Sequence, residues 1–440
     1  MGRHSYLEIT LLLLVCLSIP ICQSLNNGLA LTPPMGWLSW QRFRCNTDCV
    51  NDPENCISEQ LIKRQSDCLV SEGYRDHGYE YVTIDDCWSA TERDKDGKLQ
   101  PDPDRFPNGI KKLSDYVHSK GLKFGIYGDF GSKTCAGYPG SEYHMKLDAQ
   151  TFADWEVDLL KFDGCNSDIK DAPKGYPAMT KYLNMTGRPI LYSCEWPFYN
   201  WQHGIKSNFT AIRNTCNMWR NHWDIQDSWQ SVTGVIQYFV KNDKQFRSFA
   251  GPGGWNDPDM LVIGNYGLSY DEERAQMAMW AILASPLIMS LDACNVRPRS
   301  KSILQNKNVI AVNQDKLGIQ GSLKLVQESV YKLQIWTRPI TPHGSYAIVI
   351  LNLRKGGGPS AVNFTLTDLD IYNSDGYNLT ETFDGKYLGI YKSNATFKCK
   401  VNPSGVYMIT AVPVTYVDNK LRFVPRNESI SSEKRQNDRI

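Results

Sequence analysis

The chain has 440 residues, of which 41% are hydrophobic and 22% are charged, and its formal net charge is +1. This composition describes a globular protein, and the length predicts two domains or a large barrel with a smaller module. Because a protein that binds phosphate backbones usually carries a basic excess, the near-neutral charge argues against nucleic acid as a partner.

The first 24 residues have the features of a secretory signal peptide. Arg3 and His4 precede the apolar run Ile9–Ile21, and small residues up to Ser24 flank a plausible cleavage point. The apolar run is too short for a membrane span, and no later segment reaches the length of one. We therefore predict entry into an oxidising lumen and no membrane span.

Glycosylation triplets and cysteines agree with that compartment. Triplets of the form N-x-S/T begin at Asn184, Asn208, Asn363, Asn378, Asn394 and Asn427. Eleven cysteines remain after cleavage at Ser24, and their spacing contains no C-x-x-C metal signature. We interpret these cysteines as disulfide partners, and their odd number leaves at least one thiol unpaired within the chain.

One phrase recurs from Leu31 to about Ser290: an apolar run, one or two polar residues at its end, and a turn. The eight instances are Met35–Trp40, Tyr81–Asp86, Phe124–Asp129, Leu159–Asp163, Ile190–Glu195, Cys216–Asp224, Phe249–Asp259 and Pro286–Asp292. Helical spacing lies between several of them, at Ile110–Gly121, Ala149–Trp155 and 271–284. Strands alternating with helices predict parallel pairing, and eight units predict an α/β fold of the (β/α)8 TIM barrel type rather than an open sheet.

The residue pattern of the sequence changes beyond about Gln320. Short alternating segments rich in Val, Ile, Tyr and Thr follow at Val330–Trp336, Tyr346–Leu353, Val362–Leu366, Leu379–Phe383 and Gly405–Val412. A series of this kind without helices predicts a C-terminal antiparallel β-sandwich packed beside the barrel. The predicted organisation is a signal peptide at 1–24, the barrel at 25–321, the sandwich at 322–426 and a charged, disordered tail at 427–440.

Asp163 is the candidate nucleophile. It ends the apolar run Leu159–Asp163, and because side chains alternate along a strand, Lys161 points to the same face. We expect the ammonium beside the carboxylate to keep it ionised, as a nucleophile requires. The alternatives are a strand-end ion pair that faces solvent or, for any acid in such a position, the N-cap of the following helix.

The other strand ends supply partners, because the carboxyl ends of all barrel strands meet at one mouth. Carboxylates with aromatic residues are what retaining glycoside cleavage uses, one acting as nucleophile and the other as acid and then base. Asp224 is the candidate acid, because it follows a segment with Trp219 and Trp223, where aromatic burial is expected to raise a carboxyl pKa. The seven His are scattered, so the sequence predicts neither a metal nor a cofactor.

Six phrases resemble glycoside hydrolase family 27, and in particular its animal lysosomal α-galactosidase branch. They are Pro34–Trp37, Ile84–Trp88, Leu159–Cys165, Ser193–Pro197, Asp224–Trp229 and Gly251–Leu261. The likeness runs from about Leu25 to Gly321 and is weak beyond it. It implies a retaining exo-α-galactosidase that removes terminal α-D-galactosyl residues from glycolipids, glycoproteins or oligosaccharides by double displacement.

The resemblance also implies roles for individual residues. Asp163 would be the nucleophile and Asp224 the acid/base, while Asp85 and Asp86 would accept hydrogen bonds from the 4- and 6-hydroxyl groups of galactose. The residues implied to line the pocket are Trp40, Asp85, Asp86, Tyr127, Lys161, Glu195, Phe198, Tyr199, Arg220 and Asp259. Members of the family are commonly homodimers in acidic lysosomes, so both are expectations here, with secretion as the alternative to lysosomal delivery.

Two alternatives to an α-galactosidase remain open. The same family contains α-N-acetylgalactosaminidases, which place Ser and Ala around the sugar's 2-substituent, where galactosidases place Glu and a bulky residue. Here these positions are Glu195 and Phe198, which favour galactose, although Leu is usual at the second. A galactose-binding homologue without activity is the other alternative, and the presence of both Asp163 and Asp224 argues against it.

The resemblance further implies the disulfides Cys45–Cys87, Cys49–Cys56, Cys135–Cys165 and Cys194–Cys216. Cys68, Cys294 and Cys399 are left over. Because Cys68 sits in a segment with helical spacing, we predict that it is a buried free thiol.

Overall fold

A computed structural model describes residues 27–327, 332–417 and 420–422. The predicted signal peptide and the tail from Asn427 lie outside these residues. The first part of the described chain holds eight parallel strands: β1 (Met35–Leu38), β2 (Tyr81–Ile84), β3 (Lys123–Asp129), β4 (Leu159–Asp163), β5 (Leu191–Cys194), β6 (Met218–Arg220), β7 (Trp255–Asp257) and β8 (Leu287–Met289). Seven of them lie inside the predicted phrases, and β3 begins one residue before its phrase, at Lys123.

The eight strands form one sheet in the order β7-β6-β5-β4-β3-β2-β1-β8. The sheet closes through Leu261, four residues after β7, which pairs with Met289 of β8. The Leu261 amide donates to the carbonyl of Ile288 at 2.7 Å, and the Ser290 amide donates to the carbonyl of Leu261 at 3.0 Å. The predicted (β/α)8 barrel is therefore present, and its last three strands are shorter than the predicted phrases.

Helices separate the barrel strands. They are α1 (Trp40–Phe43), α2 (Glu59–Ser71), α3 (Gly109–Ser119), α4 (Met145–Asp154), α5 (Ala172–Met185), α6 (Trp196–Gln202), α7 (Phe209–Arg213), α8 (Trp229–Phe249), α9 (Tyr270–Ile282), α10 (Pro298–Leu304) and α11 (Lys307–Asn313). The three predicted helices correspond to α3, α4 and α9. Ser269 and Glu272 form a capping box that starts α9, which satisfies backbone donors at its first turn.

The remainder of the described chain is antiparallel. Its strands are β9 (Ser322–Gln327), β10 (Leu333–Ile340), β11 (Ser345–Asn352), β12 (Ser360–Thr365), β13 (Tyr377–Glu381), β14 (Tyr387–Tyr391), β15 (Thr396–Val401), β16 (Val406–Pro413), β17 (Thr415–Val417) and β18 (Lys420–Arg422). A six-stranded sheet, β14-β13-β16-β11-β10-β9, packs with the pair β12-β15 around a second apolar core. The sequence predicted β10, β11, β12, β13 and β16, and it missed the others, among them the charged β15.

The barrel and the sandwich share a continuous apolar core. Trp336 and Val349 of the sandwich belong to the same buried cluster as Trp280 of α9. Arg338 of β10 is fully buried at this junction and donates to the carbonyls of Ala281 at 2.7 Å and Asn313 at 3.2 Å. The sandwich therefore covers a helical face of the barrel.

Five disulfides join cysteines within the described residues. Four are the bridges Cys45–Cys87, Cys49–Cys56, Cys135–Cys165 and Cys194–Cys216, and the fifth joins Cys68 to Cys294. The prediction of a buried free thiol at Cys68 is therefore wrong. Cys68 in α2 and Cys294 after β8 are 226 residues apart, but β1 and β8 are neighbours in the closed barrel, which brings the two segments together. Cys399 of β15 is a free cysteine.

The glycosylation triplets differ in exposure. Asn184, Asn208, Asn363 and Asn394 are exposed, which fits acceptor sites. Asn378 does not fit, because it is only 9% exposed and lies in β13 between β14 and β16. Asn427 lies outside the described residues. Across the ranges given above, no helix combines the length and the apolar character that a membrane span needs.

Candidate active site

Asp163 lies at the carboxyl end of β4, with donors on both carboxylate oxygens. The Tyr127 hydroxyl, from β3, donates to Oδ2 at 2.9 Å. The Tyr199 hydroxyl, from α6, donates to Oδ1 at 2.6 Å, and the Gly164 amide donates to the same oxygen at 2.9 Å. The carboxylate is nearly buried, so these three donors fix its position at the mouth of the barrel.

We expected Lys161 to pair with Asp163, but its direct partners are other carboxylates. Its Nζ lies 2.7 Å from Oδ2 of Asp85 on β2 and 3.6 Å from Oε1 of Glu195 after β5. Burial alone would lower the pKa of Lys161, but the charges of Asp85, Glu195 and, less strongly, Asp163 raise it well above its usual value. Lys161 of β4 therefore stays protonated and links the carboxylates that follow β2 and β5. Tyrosine hydroxyls are the direct side-chain partners of Asp163.

Arg220 organises the opposite side of the site from the end of β6. It is buried, and its guanidinium lies 2.9 Å from Asp224, 3.2 Å from Asp259 and 3.4 Å from Glu195. The second oxygen of Asp259 accepts from the Ile225 amide at 2.7 Å, which fixes the backbone next to Asp224. One cation thus holds carboxylates from three segments of the chain.

The expectation that aromatic burial raises the pKa of Asp224 is wrong. Partial burial acts in that direction, but the nearby charges of Arg220 and Lys161 outweigh it and lower the pKa of Asp224. The Asp224 side chain is 45% exposed. The Trp223 ring packs on Phe198 and Trp201.

The charges of Asp163 and Asp224 act on the same buried residues. Burial is the largest cause of the raised pKa of Glu195, and the charges of both aspartates raise it further, although Arg220 and Lys161 oppose them. Both aspartates also contribute to the raised pKa of Lys161. The site thus holds a fixed, nearly buried carboxylate, Asp163, and a half-exposed carboxyl, Asp224, around the same charged residues. Two such groups suit double displacement at an acetal carbon.

Asp85 and Asp86 follow β2 and are both buried. Besides its bond to Lys161, Asp85 uses its amide to donate to the Ser39 hydroxyl at 3.0 Å. Asp86 accepts from the amides of Cys87 at 2.7 Å and Ala136 at 2.9 Å, and burial raises its pKa to about 6. These bonds hold the two side chains side by side at the mouth.

The other predicted site residues come from the same end of the barrel. Trp40 begins α1 directly after β1, Asp259 follows β7, and Phe198 and Tyr199 lie in the first turns of α6. Phe198 is buried, with its ring centroid 5.0 Å from that of Tyr199. It therefore supports the hydroxyl that bonds Asp163.

Asp129, the last residue of β3, was not singled out from the sequence. It is fully buried and accepts from the Gly131 amide at 2.7 Å, the Cys165 amide at 3.1 Å and the Tyr127 hydroxyl at 3.3 Å. Burial, and after it the Asp163 charge, raise the pKa of Asp129 well above its usual value. The signal was available, because Asp129 ends the third of the eight phrases, but nothing marked it as different from the other strand ends.

Two groups of side chains in the described ranges have the composition of metal ligands. Asp129 and Asp163 lie near Cys135 and Cys165, but these cysteines are bridged and offer no thiolate. The second group is Asp115, His118 and Glu156, where Nε2 of His118 already bonds Asp158 at 2.7 Å. Neither group fits a catalytic metal site.

Known proteins match almost the whole described chain. A family model described as "Alpha galactosidase A" matches residues 32–315, and one described as "Alpha galactosidase A C-terminal beta sandwich domain" matches residues 318–405. "Alpha-galactosidase A" of Homo sapiens is 48% identical over 92% of this chain and 94% of its own length. "Alpha-N-acetylgalactosaminidase" of Gallus gallus is 49% identical over 87% of this chain and 94% of its own length.

Solved structures agree with the sequence matches. The crystal structure of alpha-galactosidase I from Mortierella vinacea superposes with a TM-score of 0.78 at 32% sequence identity. The superposition covers 88% of this chain and 98% of that one. The likeness therefore extends over both the barrel and the sandwich.

Proposed function

Since this chain belongs to the alpha-galactosidase A family, glycoside hydrolase family 27, we propose that it is a retaining exo-α-galactosidase acting through Asp163 and Asp224. It is a glycoside hydrolase, and its substrates are terminal α-galactosides of glycolipids, glycoproteins or oligosaccharides. The observation that carries the proposal is the difference between the two aspartates at the mouth. Asp163 accepts hydrogen bonds from three donors, whereas Asp224 is half exposed and forms an ion pair with Arg220.

The reaction proceeds in two displacements. Asp163 attacks the anomeric carbon from the β face while Asp224 gives its proton to the departing glycosidic oxygen, so a C–O bond forms to the enzyme as the glycosidic bond breaks. Asp224, now ionised, then takes a proton from water, which attacks from the α face and releases Asp163. The configuration at the anomeric carbon is retained, and no cofactor is consumed.

Recognition of galactose rests on the buried charges around Asp163. Asp85 and Asp86 accept from the 4- and 6-hydroxyl groups, Lys161 and Tyr127 border the ring, and Trp40 and Asp259 complete the pocket. A sugar that lacks one of these hydroxyl positions leaves a buried polar group unpaired, and this is costly. Such a pocket discriminates galactose from its 4-epimer.

Glu195 and Phe198 favour galactose over N-acetylgalactosamine. The relatives of near-equal identity carry both names, so overall identity does not decide between the two sugars. Glu195 lies between Lys161 and Arg220 and suits a 2-hydroxyl, while the buried Phe198 fills space that an acetamido group would need.

Azide tests the two catalytic roles separately. Asp163→Gly should lower kcat on an aryl α-galactoside by a factor on the order of 10⁴. Azide should then enter the vacated space and give β-galactosyl azide. In Asp224→Ala the galactosyl-enzyme still forms from an aryl galactoside with a good leaving group, and azide should attack it from the other face to give α-galactosyl azide.

The control for both variants is Asp154→Asn on the exposed surface of α4, which should behave as wild type. Near-normal turnover by Asp163→Gly at every pH from about 3 to 8 would remove the proposed mechanism. Interchanged azide products would mean that the two roles are reversed.

The sugar preference has its own test. Glu195→Ser combined with Phe198→Ala should lower the kcat/KM ratio of aryl α-galactoside to aryl α-N-acetylgalactosaminide by about 100-fold, because the 2-substituent gains room. Phe198→Leu, which keeps a bulky side chain, is the matched control and should keep the galactose preference. Faster cleavage of the acetamido sugar by the unaltered enzyme would contradict the assignment.

We extend the proposal to the setting of the enzyme. It enters the secretory pathway and is delivered to the lysosome, where it acts as a homodimer. Support comes from the signal-peptide pattern, the disulfides and the exposed acceptor triplets. Light scattering of the purified protein tests the dimer, and localisation of the tagged full chain, with secretion into the medium as the alternative outcome, tests the compartment.

A further inference from the structure

An aromatic surface lies on the rim of the site, made of Trp223, Phe198 and Trp201, which we call the rim cluster. Trp223 follows β6, and its ring centroid lies 5.0 Å from that of Phe198 and 5.8 Å from that of Trp201, both on α6. Both rings meet Trp223 nearly edge to face, at 69° and 79°. Trp223 is nevertheless 49% exposed, so a firmly held indole presents open surface to solvent.

The place of this surface in the reaction follows from its neighbour. Asp224 comes directly after Trp223 and protonates the glycosidic oxygen, so the departing group must lie on the side of the rim that Asp224 faces. A single exposed aromatic residue is ordinary on a protein surface and needs no explanation by itself. A fixed and half-open indole beside the proton donor is positioned to contact the leaving group.

Polar groups also lie near Asp224. The Arg44 guanidinium donates to Oε1 of Gln226 at 2.7 Å and lies 5.6 Å from the ring of Trp40. Its charge acts on Asp224, which places it near the donor. Gln226 is exposed and comes two residues after Asp224.

An exposed aromatic face and hydrogen-bonding groups near the same proton donor match the two sides of a pyranose. The C–H face of the sugar packs on the indole, and the hydroxyl groups reach the amide and the guanidinium. A hydrocarbon chain would use only the aromatic part and would leave the polar groups to water.

We propose that Trp223 is the stacking surface of a leaving-group subsite, and that this subsite takes a second sugar ring, the one released when the terminal galactose is removed. This inference rests on the proposed function. The sugar can belong to a free oligosaccharide, a glycoprotein or a glycolipid headgroup, because its ring is the same in each.

Two substrates with equally poor leaving groups test the subsite. Methyl α-galactoside places only a methyl group there, whereas the disaccharide galactosyl-α-1,6-glucose places a pyranose. Trp223→Ala should lower the ratio of kcat/KM for the disaccharide to that for the methyl glycoside by about tenfold, which corresponds to about 1.4 kcal/mol. Trp223→Phe keeps a ring and should lose less.

The control variant is Tyr372→Ala, which removes a 67% exposed aromatic side chain from the sandwich. It should change neither substrate. Equal losses on both substrates in Trp223→Ala would show that Trp223 only positions Asp224, and this would overturn the subsite. No loss of kcat/KM on either substrate would overturn it as well.

An octyl α-galactoside distinguishes a sugar from an apolar chain. If its kcat/KM fell as much as that of the disaccharide, the surface would be a general apolar face and the sugar assignment would be wrong. If the unaltered enzyme hydrolysed none of the α-galactosides, the proposed function itself would fail, and this result differs from every outcome above.

Discussion

Asp224 shows how one contact sets the behaviour of a catalytic residue. Arg220 lies 2.9 Å from it and, with Lys161, lowers its pKa, although the first step needs Asp224 protonated. The protonated fraction of the free enzyme therefore falls as the pH rises through the lowered pKa. Acidic conditions favour the proton donor, which agrees with the proposed lysosomal setting.

This arrangement predicts a pH profile that depends on the leaving group. For methyl α-galactoside, kcat/KM should decline from acidic pH towards neutrality as Asp224 loses its proton. Galactosyl fluoride needs no proton on its leaving group, so its kcat/KM should decline much less over the same range. Initial rates at matched pH values give both profiles, and identical declines would contradict a proton-donor role for Asp224.

Asp163 is held by direct hydrogen bonds, whereas Asp224 is held by an ion pair. Its two oxygens are held by Tyr127, Tyr199 and the Gly164 amide, so its position is set before substrate arrives. Asp129 supports this arrangement from beneath, because it accepts from the hydroxyl of Tyr127 and from the amide of Cys165. The disulfide Cys135–Cys165 joins the loop after β3 to the loop after β4.

At the scale of elements, the Cys68–Cys294 bridge fastens α2 to the segment after β8. These elements lie near the two ends of the barrel's sequence and meet only where β1 pairs with β8. A cross-link of this kind restricts the unfolded chain over a long loop, which in the entropic account stabilises the folded state. It thus secures the point where the first strand meets the last.

We predict that the double variant Cys68→Ala/Cys294→Ala loses about 2 to 4 kcal/mol of unfolding free energy. Denaturant unfolding measures this change, and Cys399→Ala, which removes the free thiol of β15, is the control and should lose less. Thiol labelling of the unfolded, non-reduced mature chain should find one free cysteine. Three labelled cysteines would show that Cys68 and Cys294 are not bridged.

At the scale of the whole molecule, the mouth of the barrel concentrates buried acids. Burial raises the pKa of Asp257 to about 6 in the folded state, against about 3.9 in an unfolded chain. Between these values the folded protein holds more protons than the unfolded one, so the unfolding free energy falls as the pH rises. The stabilisation that Asp257 contributes is fully present below the unfolded-state pKa of about 3.9. It is lost as the pH rises through the folded-state pKa of about 6.

The unfolding free energy of the enzyme should accordingly be larger at about pH 5 than at about pH 7.5. Asp257→Asn keeps the acceptor for the Asp259 amide but removes the titration, so it should reduce the loss of unfolding free energy over this interval by about 1 to 3 kcal/mol. Denaturant unfolding at a series of pH values measures the slope. Asp154→Asn controls for the change in net charge, and a slope equal to wild type in Asp257→Asn would contradict the prediction.

The amino-acid pattern was sufficient to predict the repeated units and the acids at their ends. Apart from Lys123 at the start of β3, each strand of the barrel lies within a predicted phrase, because the alternation of apolar runs and turns is a local property of the chain. Asp163 ends its strand, and Asp85, Asp224 and Asp259 follow theirs closely, so the barrel rule alone predicted these acids at one mouth. Family resemblance supplied their roles. Arg220 was predicted only by the family resemblance.

The pairing of charges in the site could not be predicted from the sequence, because it depends on how the strands come together. Lys161 binds Asp85, which is 76 residues away in sequence, rather than Asp163 on its own strand, and Arg220 lowers the pKa that neighbouring aromatic residues were expected to raise. Cys68 finds Cys294 only because the barrel closes. Contacts between distant segments depend on register, closure and side-chain reach, whereas strand patterns depend on neighbours in the chain, so the sequence determined the set of catalytic groups and the fold determined their partners.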